Sequence, residues 1–305
     1  MLKPKHQGGY SDLHVELCER ALVTLLRGVG PWKHGVYLAG GLVPRYLIPW
    51  QADSQGNPPH VGTTDVDLVL DLEVLATTEA YRRLEQNLRS LGFERGQNVE
   101  GNAQHFSWRK PVSSGATIVV DLLCDADIAE GGQIATLPGE RRLSALKIPG
   151  AHLIITDYVE IELNAELLNE RGGAAEQVRI ANIVPFIVLK TLAYEDRFEE
   201  KDAYDLVYCL MHYGGGPHEV AAQFTDRTTR WPNEPLFPRA LEILRSRFTS
   251  DDQTQGYLKD GPTSYARFLT DPGRQETDAR NRRDAAEVVE MFLDEVDRRL
   301  DNDQR

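Results

Sequence analysis

A change of pattern at Pro185 constrains the fold of this chain more than any other sequence feature. Before it, short apolar runs such as VYLA (36–39) and ATIVVDLL (116–123) alternate with helical stretches. After it, the spacing of apolar residues is helical except in the polar segment 248–280. The pattern predicts an α+β protein, in which a mixed sheet flanked by helices over residues 1–183 precedes a helical domain over 184–305.

The local patterns predict individual elements within this frame. The amphipathic stretch 11–28 predicts a helix with Ser11 as its N-cap, and residues 77–92 predict a surface helix that ends at Gly92. Alternating or continuous apolar residues predict strands over 36–39, 65–72, 105–110, 116–123, 152–163 and 178–184. The polar stretches 49–64 and 248–280 are predicted to be loops.

Composition limits the classes of function. The chain has 34 basic and 47 acidic residues, and its formal net charge of −13 argues against broad binding of polyanions. An RNA partner would need a local basic track, for which Lys190, Arg197 and residues 141–147 are the candidates. The sequence has no 18-residue apolar run and no apolar leader segment, so the expected location is the cytoplasm. Three widely spaced cysteines without a CxxC pair predict reduced thiols.

Three acidic residues on predicted strands form the sharpest local feature. In GTTDVDLVLD, Asp65 and Asp67 are two residues apart and therefore point to the same face of a strand. Asp121 interrupts a second apolar strand, where a carboxylate is costly unless it is paired or binds a metal. If the two strands are neighbours, the three carboxylates converge on a site for hard cations, of which Mg²⁺ is the usual one near phosphates and Mn²⁺ an alternative.

A glycine pair precedes these acids. In VYLAGGLVPRYL, Gly40 and Gly41 lie between a strand and a short helix, where a backbone without side chains can approach phosphates closely. The alternative is a tight turn without a ligand. No GxGxxG fingerprint and no P-loop are present.

Several features also have plain structural explanations. Asp-x-Asp is a common tripeptide, and Asp71 and Asp125 are interpreted as solvent groups at strand ends. Lys201 and Asp205 are spaced as an ion pair on a helix surface, and Lys190 as a surface lysine over apolar neighbours. The aromatic residues that could stack on a base are Trp108, Tyr194, Tyr204 and Tyr208, and the four-residue spacing of the last two also fits a helix core. The basic stretch 140–147 could face an RNA, although a solvated helix or turn explains it as well.

These motifs together resemble the DNA polymerase β-like nucleotidyltransferase superfamily. The resemblance rests on Gly40-Gly41, Thr63-x-Asp65-x-Asp67 and Asp121. The helical half narrows it, because LKTLAYEDRFEEKDAYDL is similar to a pattern in AbiEii/AbiGii-type nucleotidyltransferase toxins of abortive-infection and toxin–antitoxin systems. The matching positions are Lys190, Ala193, Arg197, Lys201, Asp202, Asp205 and Leu206.

The resemblance implies a nucleotidyltransferase fold, a bound NTP and Mg²⁺. By this resemblance Asp65 and Asp67 bind metal, with Asp121 as a third ligand or a base. Lys190 contacts phosphates, and Asp205 completes the pocket. The nucleotide-binding set implied is Gly40, Gly41, Thr63, Thr64, Arg197, Lys201 and Asp202. One position departs from the family, which commonly has Arg where this chain has Val61.

The leading hypothesis is a nucleotidyltransferase that moves a nucleoside monophosphate from an NTP to an acceptor. The toxin resemblance implies a tRNA, another RNA or a protein as acceptor, and a cognate antitoxin as partner. Two alternatives stay open. The first, motivated by Val61, is a nucleotide-binding interaction protein without turnover. The second is a transferase acting on a small cationic molecule such as an antibiotic, which an acidic surface would suit.

Overall fold

The strand patterns before Pro185 form one mixed sheet in the computed structural model of the chain. The structure describes residues 4–49, 59–75, 78–97, 101–112, 115–137, 143–168, 172–270 and 275–303. The strands within these ranges are β1 (Val36–Ala39), β2 (Asp65–Leu70), β3 (Glu94–Gln97), β4 (Ala103–Pro111), β5 (Thr117–Ala126), β6 (Ile134–Thr136), β7 (Ser144–Pro149), β8 (Tyr158–Glu166) and β9 (Gly173–Ala181).

The strand order places the two acid-bearing strands side by side. The order is β3-β4-β5-β2-β1-β9-β8, with β7 beside the far end of β5 and β6 beside β7. The pairs β2–β5, β1–β9 and β5–β7 are parallel, and the other pairs are antiparallel. The expectation of an α+β chain with a mixed sheet is therefore confirmed.

Helices also form among the described residues before Pro185. They are α1 (Asp12–Val29), α2 (Pro44–Leu47), α3 (Thr78–Ser90) and α4 (Ala151–Thr156). The predicted N-cap of α1 is confirmed, because the Ser11 hydroxyl accepts a hydrogen bond from the His14 amide at 3.4 Å. Gly30, with φ +66°, ends the helix. Leu13 in its first turn is 46% exposed.

One face of the central strands forms the core of the sheet. Val66, Leu68, Val120 and Leu122 are at most 1% exposed, and Trp108 of β4 is fully buried beside them. The Arg89 guanidinium of α3 lies 5.6 Å from the centre of the Trp108 ring, which places α3 over this face. The alternating side chains of the same strands point to the opposite face, which carries the acids.

The prediction of strands over 152–163 is wrong for its first part. Residues Ala151–Thr156 form α4, and only then does β8 begin. Gly150 turns the chain with φ +89°, and the Asp125 carboxylate accepts a hydrogen bond from the His152 amide at 2.9 Å in the first turn. A short apolar run such as HLII fits a helix or a strand, so this contact from a distant strand decides between them.

The second half of the chain is helical, as its periodicity predicts. Its helices are α5 (Ile183–Arg197), α6 (Glu200–His212), α7 (Pro217–Arg230), α8 (Leu236–Phe248), α9 (Asp260–Leu269) and α10 (Gln275–Asp303). The expected loop over 248–280 is interrupted by α9, because Tyr265 and Phe268 give that polar segment a buried face. Part of the other expected loop, residues 50–58, lies outside the described residues.

The chain divides into two units. We call Met1–Lys3, Tyr10–Tyr46 and Val61–Pro185 the sheet unit, and Pro4–Gly9, Leu47–His60 and Phe186–Arg305 the helical unit. The sequence-based boundary between residues 183 and 184 stays a prediction. Across the described ranges, no helix combines the length and apolar character that crossing a bilayer requires.

Candidate functional site

The three strand acids meet on one face of the sheet unit. Strands β2 and β5 run parallel in a register that sets Asp67 beside Asp121, and Asp65 precedes Asp67 by two residues on the same face. One ligand oxygen from each of the three carboxylates lies within 4.8 Å of the others. The predicted convergence of Asp65, Asp67 and Asp121, which we call the acid triad, is confirmed as geometry.

The electrostatics of the acid triad favour a cation. At 4.8 Å, two carboxylates repel by about 3–4 kcal/mol at an effective dielectric of 20. Asp65 is only 5% exposed, so water screens its charge weakly. Three carboxylate oxygens at this spacing are the hard donors that Mg²⁺ and Mn²⁺ accept, and the donor set therefore fits the predicted metal.

Residues next to the triad hold its carboxylates in place. The Thr63 hydroxyl donates a short hydrogen bond to Oδ1 of Asp65, and the Asp65 amide donates back to Thr63 Oγ1 at 3.4 Å. Thr63 is buried, whereas Thr64 is half-buried. Through these two hydrogen bonds Thr63 orients the carboxylate of Asp65, a role that its position in the motif does not specify.

The charges of the triad also act on the Cys18 thiol of α1. Burial raises the pKa of this thiol, and the nearby charges of Asp65 and Asp67 raise it further.

The carboxylate of Asp67 in the acid triad leaves no room for a side chain at position 40. The φ of Gly40 is +70°, and a Cβ at this position would lie 1.8 Å from Oδ2 of Asp67. Gly41 is buried in the following 3₁₀ turn, and Pro44, which has no N–H to donate, is the first residue of the four-residue helix α2. The glycine pair thus lies beside the acids, as expected, but α2 offers less of a phosphate cradle than the sequence pattern predicts.

The remaining predicted site residues lie in the helical unit and share one cluster of charges. We call this set the helical charge cluster; it comprises His60, Lys190, Arg197, Lys201, Asp202 and Asp205. Asp202 and Asp205 are at most 1% exposed, and Lys190 is 8% exposed. The structural alternatives of a surface lysine and a surface ion pair are therefore wrong for Lys190 and for Lys201–Asp205.

Each carboxylate of the cluster has several cationic partners. Lys190 Nζ lies 2.8 Å from Asp202 Oδ1 and 2.7 Å from Asp205 Oδ2. Arg197 binds Asp202 with two nitrogens, at 2.6 and 2.8 Å. Asp205 also accepts hydrogen bonds from Lys201 and from Nε2 of His60, the latter at 2.9 Å. Lys190 and Arg197 do share a helix face, as their spacing predicts, and on that face they bind Asp202.

The members of the helical charge cluster shift one another's pKa values. Burial, followed by the charge of Lys201, lowers the pKa of His60 from 6.5 to about 4, so the imidazole is neutral. Burial alone would raise the pKa of Asp205, but the charges of Lys190 and Lys201 outweigh it and hold this pKa well below its ordinary value. Burial also lowers the pKa of Lys201. The contact between Lys190 and phosphates stays a prediction.

The aromatic candidates for base stacking belong to the core. Trp108 and Tyr194 are fully buried, and Tyr204 and Tyr208 are each 4% exposed. The last two enclose the His60 ring, with centroid distances of 5.1 and 4.9 Å. The core interpretation is therefore correct for Tyr204 and Tyr208, and Trp108 and Tyr194 belong to the core as well.

Only part of the predicted basic track lies among the described residues. Residues 140–142 lie outside the described residues, and the rest of that stretch begins strand β7 rather than a helix or turn. Lys147 forms an ion pair with Glu130 at 3.0 Å. Lys190 and Arg197 are engaged with Asp202, so neither is a freely exposed cation.

Sequence reasoning missed three residues that the structure brings to these sites. His60, which precedes Val61 in the sequence, is an anchor of the helical charge cluster. Ser107 and Arg109 of β4 lie on the acid-bearing face of the sheet, since they pair with Asp121 and Val119 of β5. Alternation within HFSWRK could have placed them on one strand face, but only strand pairing shows which face that is.

The chain matches no protein-family model, and no curated protein matches it significantly. Its function must therefore be argued from the geometry of the acid triad and from the motif resemblance.

Proposed function

We propose that the chain is an Mg²⁺-dependent nucleotidyltransferase, similar to the AbiEii/AbiGii-type toxins and with the fold of the polymerase β-like superfamily. The observation that carries the proposal is the pairing of Asp67 with Asp121 on adjacent parallel strands, with Asp65 within the same 4.8 Å. Carboxylates gathered from two strands, next to a glycine turn, suit the binding of a metal–triphosphate complex.

In the proposed reaction, the acceptor hydroxyl oxygen forms a bond to the α-phosphorus of the NTP. The bond from that phosphorus to the bridging oxygen of the β-phosphate breaks, and pyrophosphate leaves with the bonding electron pair. Asp65 and Asp67 would hold Mg²⁺, which when bound offsets the negative charge on the phosphate oxygens. Asp121 either completes the ligand set or accepts the proton that the hydroxyl loses.

Other residues of the chain orient the reacting groups. Thr63 fixes the rotation of the Asp65 carboxylate through its hydrogen bond. Gly40 leaves room for the carboxylate of Asp67, which a side chain at that position would displace. Lys190 takes the role of the phosphate-binding lysine by resemblance, and Asp202 and Asp205 keep it protonated because their charges raise its pKa despite burial.

The acceptor in this proposal is an RNA, with tRNA as the first candidate, or a protein. The toxin resemblance further suggests an antitoxin partner. The excess of acidic residues means that an RNA would have to bind a restricted basic surface, because the chain as a whole repels polyanions.

Metal binding gives the first test. Paramagnetic titration with Mn²⁺ should show a bound ion in the wild type and its loss in Asp67→Asn. Asp71→Asn is the matched control, because Asp71 lies just beyond the same strand and bonds to the Glu73 and Val74 amides instead of joining the triad. Equal Mn²⁺ binding by the two variants would contradict the metal site.

Transfer gives the second test. Each labelled NTP is incubated with Mg²⁺ and total RNA, a protein extract or an aminoglycoside. Label in RNA or protein that disappears in Asp65→Asn supports the proposal. Label in the aminoglycoside alone favours the small-molecule transferase. Tight NTP binding with no release of pyrophosphate under any condition favours the binding protein without turnover.

A further inference from the structure

The acid-bearing face of the sheet also carries an arginine. Strand β4 pairs antiparallel with β5, so that Ser107 lies beside Asp121 and Arg109 beside Val119. Paired residues project to the same face of a sheet, and so do residues two apart along a strand. Ser107 and Arg109 therefore share the face of the acid triad, and Ser107 is the direct cross-strand neighbour of Asp121.

A glycine on the next strand shapes the course of the Arg109 side chain. The register between β3 and β4 shifts between Arg95 and Gly96. A Cβ on Gly96 would lie 3.2 Å from Nε of Arg109 and 3.0 Å from Oγ of Ser107. Both polar atoms thus lie close to Gly96, on the β3 side of β4, so the Arg109 side chain passes Ser107 along the acid-bearing face.

Arg109 has a buried donor that the described part of the chain does not satisfy. Its Nε is buried without a hydrogen-bond acceptor among the described residues. A guanidinium has five N–H donors in a planar fork, and a buried donor without an acceptor is costly. An anionic ligand with several oxygens would satisfy it.

We propose that Arg109 binds the polyphosphate of the nucleotide at the acid triad, with the Ser107 hydroxyl as a second donor. This inference rests on the proposed function. It assigns to the sheet unit its own phosphate-binding cation, one strand away from Asp121. The ligand class is a nucleoside triphosphate or the pyrophosphate released from it.

Calorimetry tests this assignment without turnover. The probes are inorganic tripolyphosphate and α,β-methylene-ATP, each with Mg²⁺, titrated into the full chain. Loss of a charge-assisted contact in Arg109→Gln should weaken both probes by about tenfold to a hundredfold. The matched control is Arg82→Gln, which removes the same charge from the exposed surface of α3 and should change neither affinity.

A second variant keeps the charge and changes only the geometry. Gly96→Ala puts a methyl group at 3.2 Å from Nε of Arg109, which must then move by a few tenths of an ångström or more. Its affinity for both probes should fall between those of the wild type and Arg109→Gln. Thermal unfolding of each variant provides the check on folding, and Gly96→Ala retains the test if Arg109→Gln does not fold.

The failures of the two proposals are distinguishable. If Arg109→Gln and Gly96→Ala bind both probes as the wild type does, while Asp67→Asn loses Mg²⁺-dependent binding, the role of Arg109 is refuted and the transferase proposal stands. If the wild type binds neither probe, the nucleotide site itself is refuted.

Discussion

His60 should make the folded chain sensitive to acid. The imidazole is 5% exposed, is enclosed by Tyr204 and Tyr208, and donates from Nε2 to the Asp205 carboxylate. Protonation would add a positive charge next to Lys201. Burial and that neighbouring charge lower the pKa of His60 to about 4.

The magnitude follows from the difference in pKa between the two states. A histidine pKa of 6.5 in the unfolded chain and about 4 in the folded chain means that the unfolded state binds more protons between these values. The free energy of unfolding therefore falls as the pH drops below about 6.5. The loss attributable to His60 is about 2 kcal/mol at pH 5 and about 3 kcal/mol below the folded pKa.

Urea denaturation of the wild type and His60→Gln, from about pH 7.5 to about pH 5, measures this contribution. Glutamine keeps a donor for Asp205 but does not titrate, so the variant should lose less stability than the wild type over this range. His218→Gln is the control, because His218 lies on the surface with a side chain that is 58% exposed. Parallel pH profiles for wild type and His60→Gln would refute the reasoning, as would a wild type that gains stability on acidification.

Three further substitutions test individual residues by denaturation. Gly40→Ala should destabilise the chain by about 1–2 kcal/mol because of its positive φ, and should weaken Mn²⁺ binding because it displaces the Asp67 carboxylate; unchanged binding would contradict this. Asp202→Asn should cost about 3–5 kcal/mol because it leaves buried cations uncompensated, whereas the exposed control Asp226→Asn should change little. Tyr81→Phe should be neutral or stabilising, since the buried hydroxyl has no hydrogen-bond partner among the described residues, and a large loss of stability would reveal one.

The periodicity of apolar residues predicts most of the helices and strands because the residues within each segment determine its conformation. The helix over Asp12–Val29, the strand over Asp65–Leu70 and the helical second half follow from apolar spacing and caps that lie within the segment itself. The helix at Ala151–Thr156 does not, because its first turn is capped by Asp125 from a distant strand. Local pattern fails where a long-range contact decides the conformation.

The same distinction explains what the sequence predicts of the candidate sites. That Asp65 and Asp67 share a face follows from strand geometry, but their approach to Asp121 depends on which strands are neighbours, so it could be stated only as a condition. For Lys201 and Asp205, helical spacing predicts the ion pair correctly. It does not reveal burial, which comes from residues distant in sequence and turns a marginal surface pair into part of a charged core.

Arg109 shows why a missing motif residue need not mean a missing chemical group. The position at which the resembled family commonly carries Arg is Val61 here, and from sequence this weakens the expectation of activity. A guanidinium binds a phosphate because of where it lies in space, whatever its position in the sequence. Strand pairing sets Arg109 on the face of the acid triad, so the loss at one position and a gain at another can leave the chemistry of the site intact. Turnover by the wild type, together with weak polyphosphate binding by Arg109→Gln, would establish that Arg109 supplies the guanidinium that the family carries at the position of Val61. Undiminished polyphosphate binding by Arg109→Gln would mean that Arg109 does not replace the arginine missing at Val61.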